Sequence, residues 1–219
     1  MTVLQNYGNI MFCYHKYRKF TQENMSTFKA YFLEGLDHIL DINGYDHILF
    51  VLALAAIYLM RDWKKVLILI TAFTIGHSIT LGLSTLNYVS INPELIEFLI
   101  PVTIFITAFA NLFKKERNLK STGTMQLNYI FALLFGLIHG LGFSNYLKAI
   151  LGKNSSIVME LLAFNVGLEI GQIIIVICFL VLSFIFIDLF GMKRRDWVLI
   201  VSSAIAGIAV TIMMETKFW

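Results

Sequence analysis

Four histidines lie in or beside apolar stretches: His38 and His47 in LDHILDINGYDHILF, His77 in TAFTIGHSIT, and His139 in FGLIHGLGF. Acids accompany them. Asp46 precedes His47, and Glu169 stands in FNVGLEIGQ with Asn165 at i−4 and Gln172 at i+3, all on one helix face. An acid or base at the centre of a membrane-crossing helix costs at least about 2.5–3.5 kcal/mol, so such a residue is paired, hydrated or functional. Neutral imidazole and carboxylate suit Zn²⁺, Ni²⁺ and Co²⁺, while the lack of nearby thiolate or thioether argues against Cu(I). The pattern predicts a site for a divalent transition metal built from His47, His77, His139, Glu169, Asp46 and His38. Asn165, Gln172, Ser78 and Thr80 are expected around it. A purely structural reading uses the same groups as hydrogen-bonding glue between helices, His77 with Ser78 and Thr80, Glu169 with Asn165 and Gln172. His38 reads either as a ligand or as an interfacial residue. His15 belongs to a polar N-terminal stretch.

The elements that position these groups follow from composition. Hydrophobic residues make up 58% of the 219 and charged residues 14%, with a mean hydropathy of +0.76. Lipid is therefore the expected solvent. Apolar runs at about 46–60, 66–86, 95–113, 125–147, 157–187 and 197–214 predict an all-α polytopic bundle of about six transmembrane helices in a single membrane domain, residues 26–219. Residues 26–41 place Phe28, Phe32, Leu36, Ile39 and Leu40 at helical spacing and predict an N-terminal amphipathic helix, with a turn at Asn43-Gly44. Residues 1–25 are expected to be a poorly ordered extension, and they lack the pattern of a signal peptide. The fifth run is too long for one crossing, about 46 Å at 1.5 Å per residue, so it must tilt, project or break, and a break near Asn165-Val166-Gly167 is the expectation.

Basic residues give an orientation. Arg61, Lys64 and Lys65, then Lys114, Lys115, Arg117 and Lys120, then Lys193, Arg194 and Arg195 mark three loops as cytoplasmic, which puts both termini outside. The net charge of +3 is spread over these loop ends, so it anchors the chain in a bilayer and implies no nucleic-acid partner. Cys13 and Cys178 lie far apart and suggest no disulfide framework. Counting from the basic ends, His47 is 14 residues from Arg61, His77 is 12 from Lys65, and His139 is 14 from Met125. At 1.5 Å per residue these are heights of about 21, 18 and 21 Å, a common level in the outer part of the membrane. Glu169 is expected at a similar or slightly higher level. The pairs Gly136/Gly140 and Gly167/Gly171 bracket His139 and Glu169 in small-xxx-small patterns that let helices approach closely.

The chain resembles the HupE/UreJ family of integral membrane proteins. The resemblance rests on DHILF (46–50), HSIT (77–80), FGLIHGLGF (135–143) and an E-x-G-Q segment (169–172), and it spans about residues 30–215. It implies a bacterial inner-membrane protein and nickel or cobalt uptake. Metal handling in that family is attributed to a histidine shortly preceding G-x-D-H, which here is His38 before Gly44-Tyr45-Asp46-His47. Three functional readings follow. One is a permease that captures the ion outside and releases it inward. Its exit is expected along Thr103, Thr107 and Asn111, with Gln172. Another is an outward-facing zinc-dependent hydrolase with Glu169 or Asp46 as general base. The third is a metal-stabilised scaffold. The bilayer and a divalent metal are the expected partners, and a homo-oligomer or a membrane partner is compatible with all three.

Overall fold

The computed structural model describes residues 26–42, 44–89, 91–114, 122–150 and 157–219. The extension expected over residues 1–25 lies outside them, as do Asn43, Lys115, Arg117, Lys120 and Lys153. The described chain is helical, in the order α1 (Thr27–Leu40), α2 (Asp46–Ala55), a 3₁₀ turn (Met60–Asp62), α3 (Trp63–Thr85), α4 (Pro93–Phe113), α5 (Thr122–Ile150), α6 (Ile157–Phe184), a π turn (Ile185–Leu189) and α7 (Arg194–Glu215).

Among the described residues four segments are long and apolar enough to cross a membrane: Met60–Thr85, Pro93–Phe113, Ile157–Leu189 and Arg194–Glu215. The run expected at 46–60 is shorter in the fold, because the chain leaves the helix after Ala55. Its ten residues reach only about 15 Å. The fifth run is not broken: α6 passes through Asn165-Val166-Gly167 as continuous helix and changes only at its far end, in the π turn. Its length has a packing reason. α1 lies along α6, with Gly35 against the Phe164 carbonyl and Gly167 against the Phe32 carbonyl, so close that a Cβ at either glycine would collide with backbone. That docked partner removes the need for a break, since the face of α6 from Phe164 to Gly171 is covered by protein.

The second close pair is α3 with α5. Gly76 meets the Leu133 carbonyl, Gly136 meets that of Phe73, and Gly140 meets that of His77. Register rises together along both helices, so they run parallel. Between the pairs sits a core that includes Phe50, Val66, Leu69, Ile70, Phe73 and Ile104, each almost fully buried.

One end of the bundle is tied by polar side chains. The Asn111 amide donates to the Ala53 carbonyl at 2.7 Å, and Arg195 donates to the carbonyls of Lys114, at 2.9 Å, and Leu112. Arg194 donates to the Ile57 carbonyl, and Lys114 donates to Asn128 Oδ1 at 3.2 Å. Asn111 and the two arginines thereby satisfy carbonyls at or just beyond the ends of α2 and α4. At the opposite end Phe98, near the start of α4, meets Phe218 and Trp219, just beyond α7.

Candidate metal centre

His38 comes from the last turn of α1, His47 from the first turn of α2, and His77 and His139 from the middles of α3 and α5. Ligand atoms of His38, His47 and His77 all lie within 4.8 Å of one another. His139 stands beside this group, its ring 5.2 Å from that of His47. A tetrahedral ion with metal–nitrogen bonds of about 2.0–2.1 Å needs its ligands about 3.4 Å apart. Small side-chain rotations close the remaining gap.

The hydrogen bonds of the rings favour a ligand role. His139 Nδ1–H donates to the Phe135 carbonyl at 3.0 Å, which leaves the Nε2 lone pair free. His47 Nδ1–H donates to Asp46 Oδ1, also at 3.0 Å, an arrangement that fixes the tautomer and makes Nε2 more basic. Nε2 of His38, His47, His77 and His139 is buried in every case and bonded to nothing among the described residues. A buried polar atom without a partner costs about 1–3 kcal/mol. Ligand atoms of three of these rings lie within 4.8 Å of one another with His139 beside His47, a set that fits a bound cation far better than a satisfied polar core, and imidazole nitrogen is the donor for a borderline divalent ion.

Phenylalanines form the walls. Phe143 lies 3.9 Å from His38 between ring centroids, Phe50 and Phe73 each lie 5.2 Å from His139, and Phe164 stacks on His77 at 6.4 Å. On the other side the chain is open. Asp37, Asp41, Ile42 and Tyr45 are exposed, and the carboxylates of Asp41 and Asp46 approach the same side of Gly44.

The remaining expected residues stand differently. Asp46 holds His47. Asn165 lies beside His77 and donates to the Leu161 carbonyl at 2.7 Å. Ser78 and Thr80 turn back onto backbone carbonyls of their own helix, at Thr74 and Gly76. Glu169 is outside the cluster: its Oε1 accepts from Thr71 at 2.6 Å, six residues before His77 and so about 9 Å farther along α3. The reason is packing. Gly167 and Gly171 receive α1, so the small-residue face of α6 brings in His38 and leaves Glu169 on the seam with α3. In the sequence Thr71 and Thr74 read only as the few polar residues of the inner half of their apolar run, and nothing there joins them to Glu169 and Gln172.

Buried imidazoles converging between apolar helices of membrane-crossing length define an integral membrane protein whose interior can hold a metal ion. A family model described as HupE / UreJ protein matches residues 15–217, and the chain belongs to that family. No curated protein and no solved structure matches it.

Proposed function

We propose that this protein is a six-crossing inner-membrane carrier for nickel- or cobalt-class divalent ions, with both termini outside and the histidine centre as its outward-facing station. The observation that carries this reading is the set of four buried, unpaired Nε2 atoms from four helices. Membership of a family associated with nickel and cobalt uptake supports the direction of use. In this reading α1 and α2 together make the first crossing, a discontinuous helix whose joint presents His38 and His47, as in carriers that bind substrate at broken helices. The ends bearing Arg61, Lys114 and Arg194 face the cytoplasm. Asp37 and Asp41 beside the open side concentrate cations there.

A cavity lined by Leu54, Thr107, Asn111, Lys114, Asn128 and Phe135, the last one turn along α5 from His139, supports an inward route in this reading. Phe50 contacts Phe73 at 4.9 Å and Phe135 at 5.7 Å, and these rings stand between centre and cavity. Release requires them to part. The test is accumulation of radiolabelled nickel in cells expressing the protein. Expression should raise uptake, and His77→Ala should return it to the level of cells without the protein. Uptake indifferent to expression would end the carrier reading.

That same phenylalanine plug favours one alternative, a zinc-dependent hydrolase reached from outside only. Asp46, bonded to His47, would be its base, whereas Glu169 is held by Thr71. Unchanged uptake, with a hydrolytic activity lost in His47→Ala, would identify it.

A further inference from the structure

Inward of the histidines, two polar stripes face each other across the α3–α6 seam. Thr71 and Thr74 lie three residues apart on α3, and Glu169 and Gln172 three apart on α6, so all four sit within one turn of each helix. Thr71 Oγ1–H donates to Glu169 Oε1 at 2.6 Å, and Thr74 Oγ1 meets Gln172 Oε1 at 2.9 Å. Two features are unresolved by these bonds. Glu169 Oε2 is buried with no partner, and the carboxylate has no cationic side chain near it among the described residues. Gln172 is fully buried with its Nε2 unpaired, while the single proton of Thr74 faces two acceptors, Gln172 Oε1 and, at 3.1 Å, the Ile70 carbonyl. Turning the Gln172 amide over resolves the second conflict: Nε2 then donates to Thr74, Thr74 donates to Ile70, and Gln172 Oε1 is freed. The first conflict then has an answer in the same place. A carboxylate oxygen, a hydroxyl and a freed amide oxygen then share one seam within a turn of each helix, with Asn165 Oδ1, also unpaired, one turn away toward His77.

We propose that Glu169, Thr71 and Gln172 form an oxygen-donor cation site, separate from the histidine centre and about 9 Å inward of it along α3. Oxygen ligands without nitrogen or sulfur select hard ions, so the site takes Na⁺ or an oxygen-preferring divalent ion such as Mn²⁺ in preference to nickel or zinc. Thr71 is exposed on the bundle surface, so the site opens along the seam between the two helices. Binding here stands on its own geometry. Use of the site as a coupling station, with the ion drawing α6 toward α3 while the divalent ion sits on the imidazoles, rests on the carrier reading.

The experiment is binding to the purified full chain in mild detergent, with no flux required. Mn²⁺ is followed by its paramagnetic resonance signal, Na⁺ by its ability to displace Mn²⁺, and Zn²⁺ at the imidazoles by elemental analysis. Glu169→Gln should weaken Mn²⁺ or Na⁺ binding by at least about tenfold while leaving Zn²⁺ stoichiometry intact, and His47→Ala/His139→Ala should do the reverse. Retained Zn²⁺ also shows that the variant is folded. Displacement of Mn²⁺ by Na⁺ identifies the monovalent ion as occupant, and its failure identifies the divalent one. Binding equal in Glu169→Gln and wild type, or absent from both, overturns the proposal. Loss of Zn²⁺ in Glu169→Gln overturns it too, by returning Glu169 to the histidine centre. Failure of nickel uptake alone would remove the carrier and leave this site untouched.

Discussion

At the scale of single residues, the Asp46–His47 pair is the most informative contact. The carboxylate orients the ring and favours the tautomer with a free Nε2, so it acts on the metal through the imidazole. Asp46→Asn keeps the size of the side chain and removes its charge. It should lower affinity for Co²⁺ by about 10–100-fold, the usual effect of losing such a partner, as measured by calorimetric titration in detergent. An unchanged affinity would mean that His47 is not a ligand. The counts from Arg61, Lys65 and Met125 gave His47, His77 and His139 one height, and ring contacts now join His47 to both of the others. Counting along a helix gives height and says nothing of azimuth. Glu169 is expected at a similar or slightly higher level, yet its contact with Thr71 lies about 9 Å inward of His77 along α3, because α6 is docked on α1 through Gly167 and Gly171 and meets α3 there.

At the scale of elements, glycine sets which helices meet. Four of the six glycines that carry the two close pairs, Gly136, Gly140, Gly167 and Gly171, stand out in the sequence by their spacing. Gly35, with Tyr31 and Ile39 four positions away, does not, and Gly76 is marked only by Ala72 and Thr80 rather than by a second glycine. Gly35 is the more consequential, since a Cβ there would enter the Phe164 carbonyl and α1 would have to lift away. Gly35→Val should cost about 1–3 kcal/mol by overpacking, and its particular signature should be local. Amide exchange would rise over α1 while α3 and α5 stayed protected, and metal affinity would fall to that of His38→Ala. Exchange that rises evenly over all helices, with no special effect on α1, would contradict this account of the joint.

At the scale of the whole molecule, polar side chains tie one end of the bundle, and there the half-buried ammonium of Lys114 donates to Asn128 Oδ1. Burial lowers its pKa to about 8 from the ordinary lysine value near 10.5. A group depressed in this way binds more protons when unfolded than when folded between those two values, so stability should rise with pH across that window. Below about pH 8 the cost of holding the charge is fully present. Lys114→Met should flatten this part of the profile, and thermal unfolding of both proteins at several pH values in one detergent measures the difference. Parallel profiles would show that the ammonium is hydrated after all. The same end holds the arginines that donate to carbonyls at the ends of α2 and α4, so the basic residues that the charge pattern expects at the cytoplasmic face also close backbone hydrogen bonding there.

Composition and apolar run length by themselves determined that this is a helical membrane protein, because lipid leaves a spanning backbone few ways to bond other than with itself. The sequence also named the imidazoles, since histidines in apolar runs are costly and therefore conspicuous. Tertiary structure decided the rest. It shortened the first run to a half-helix, kept α6 whole, set His38 beside His47, and moved Glu169 from the histidines to the threonines of α3. Each of these depends on which face of a helix meets which neighbour. In a chain apolar on nearly every face that choice is made by backbone contact at a few glycines, a property of pairs of helices that no single stretch of sequence displays.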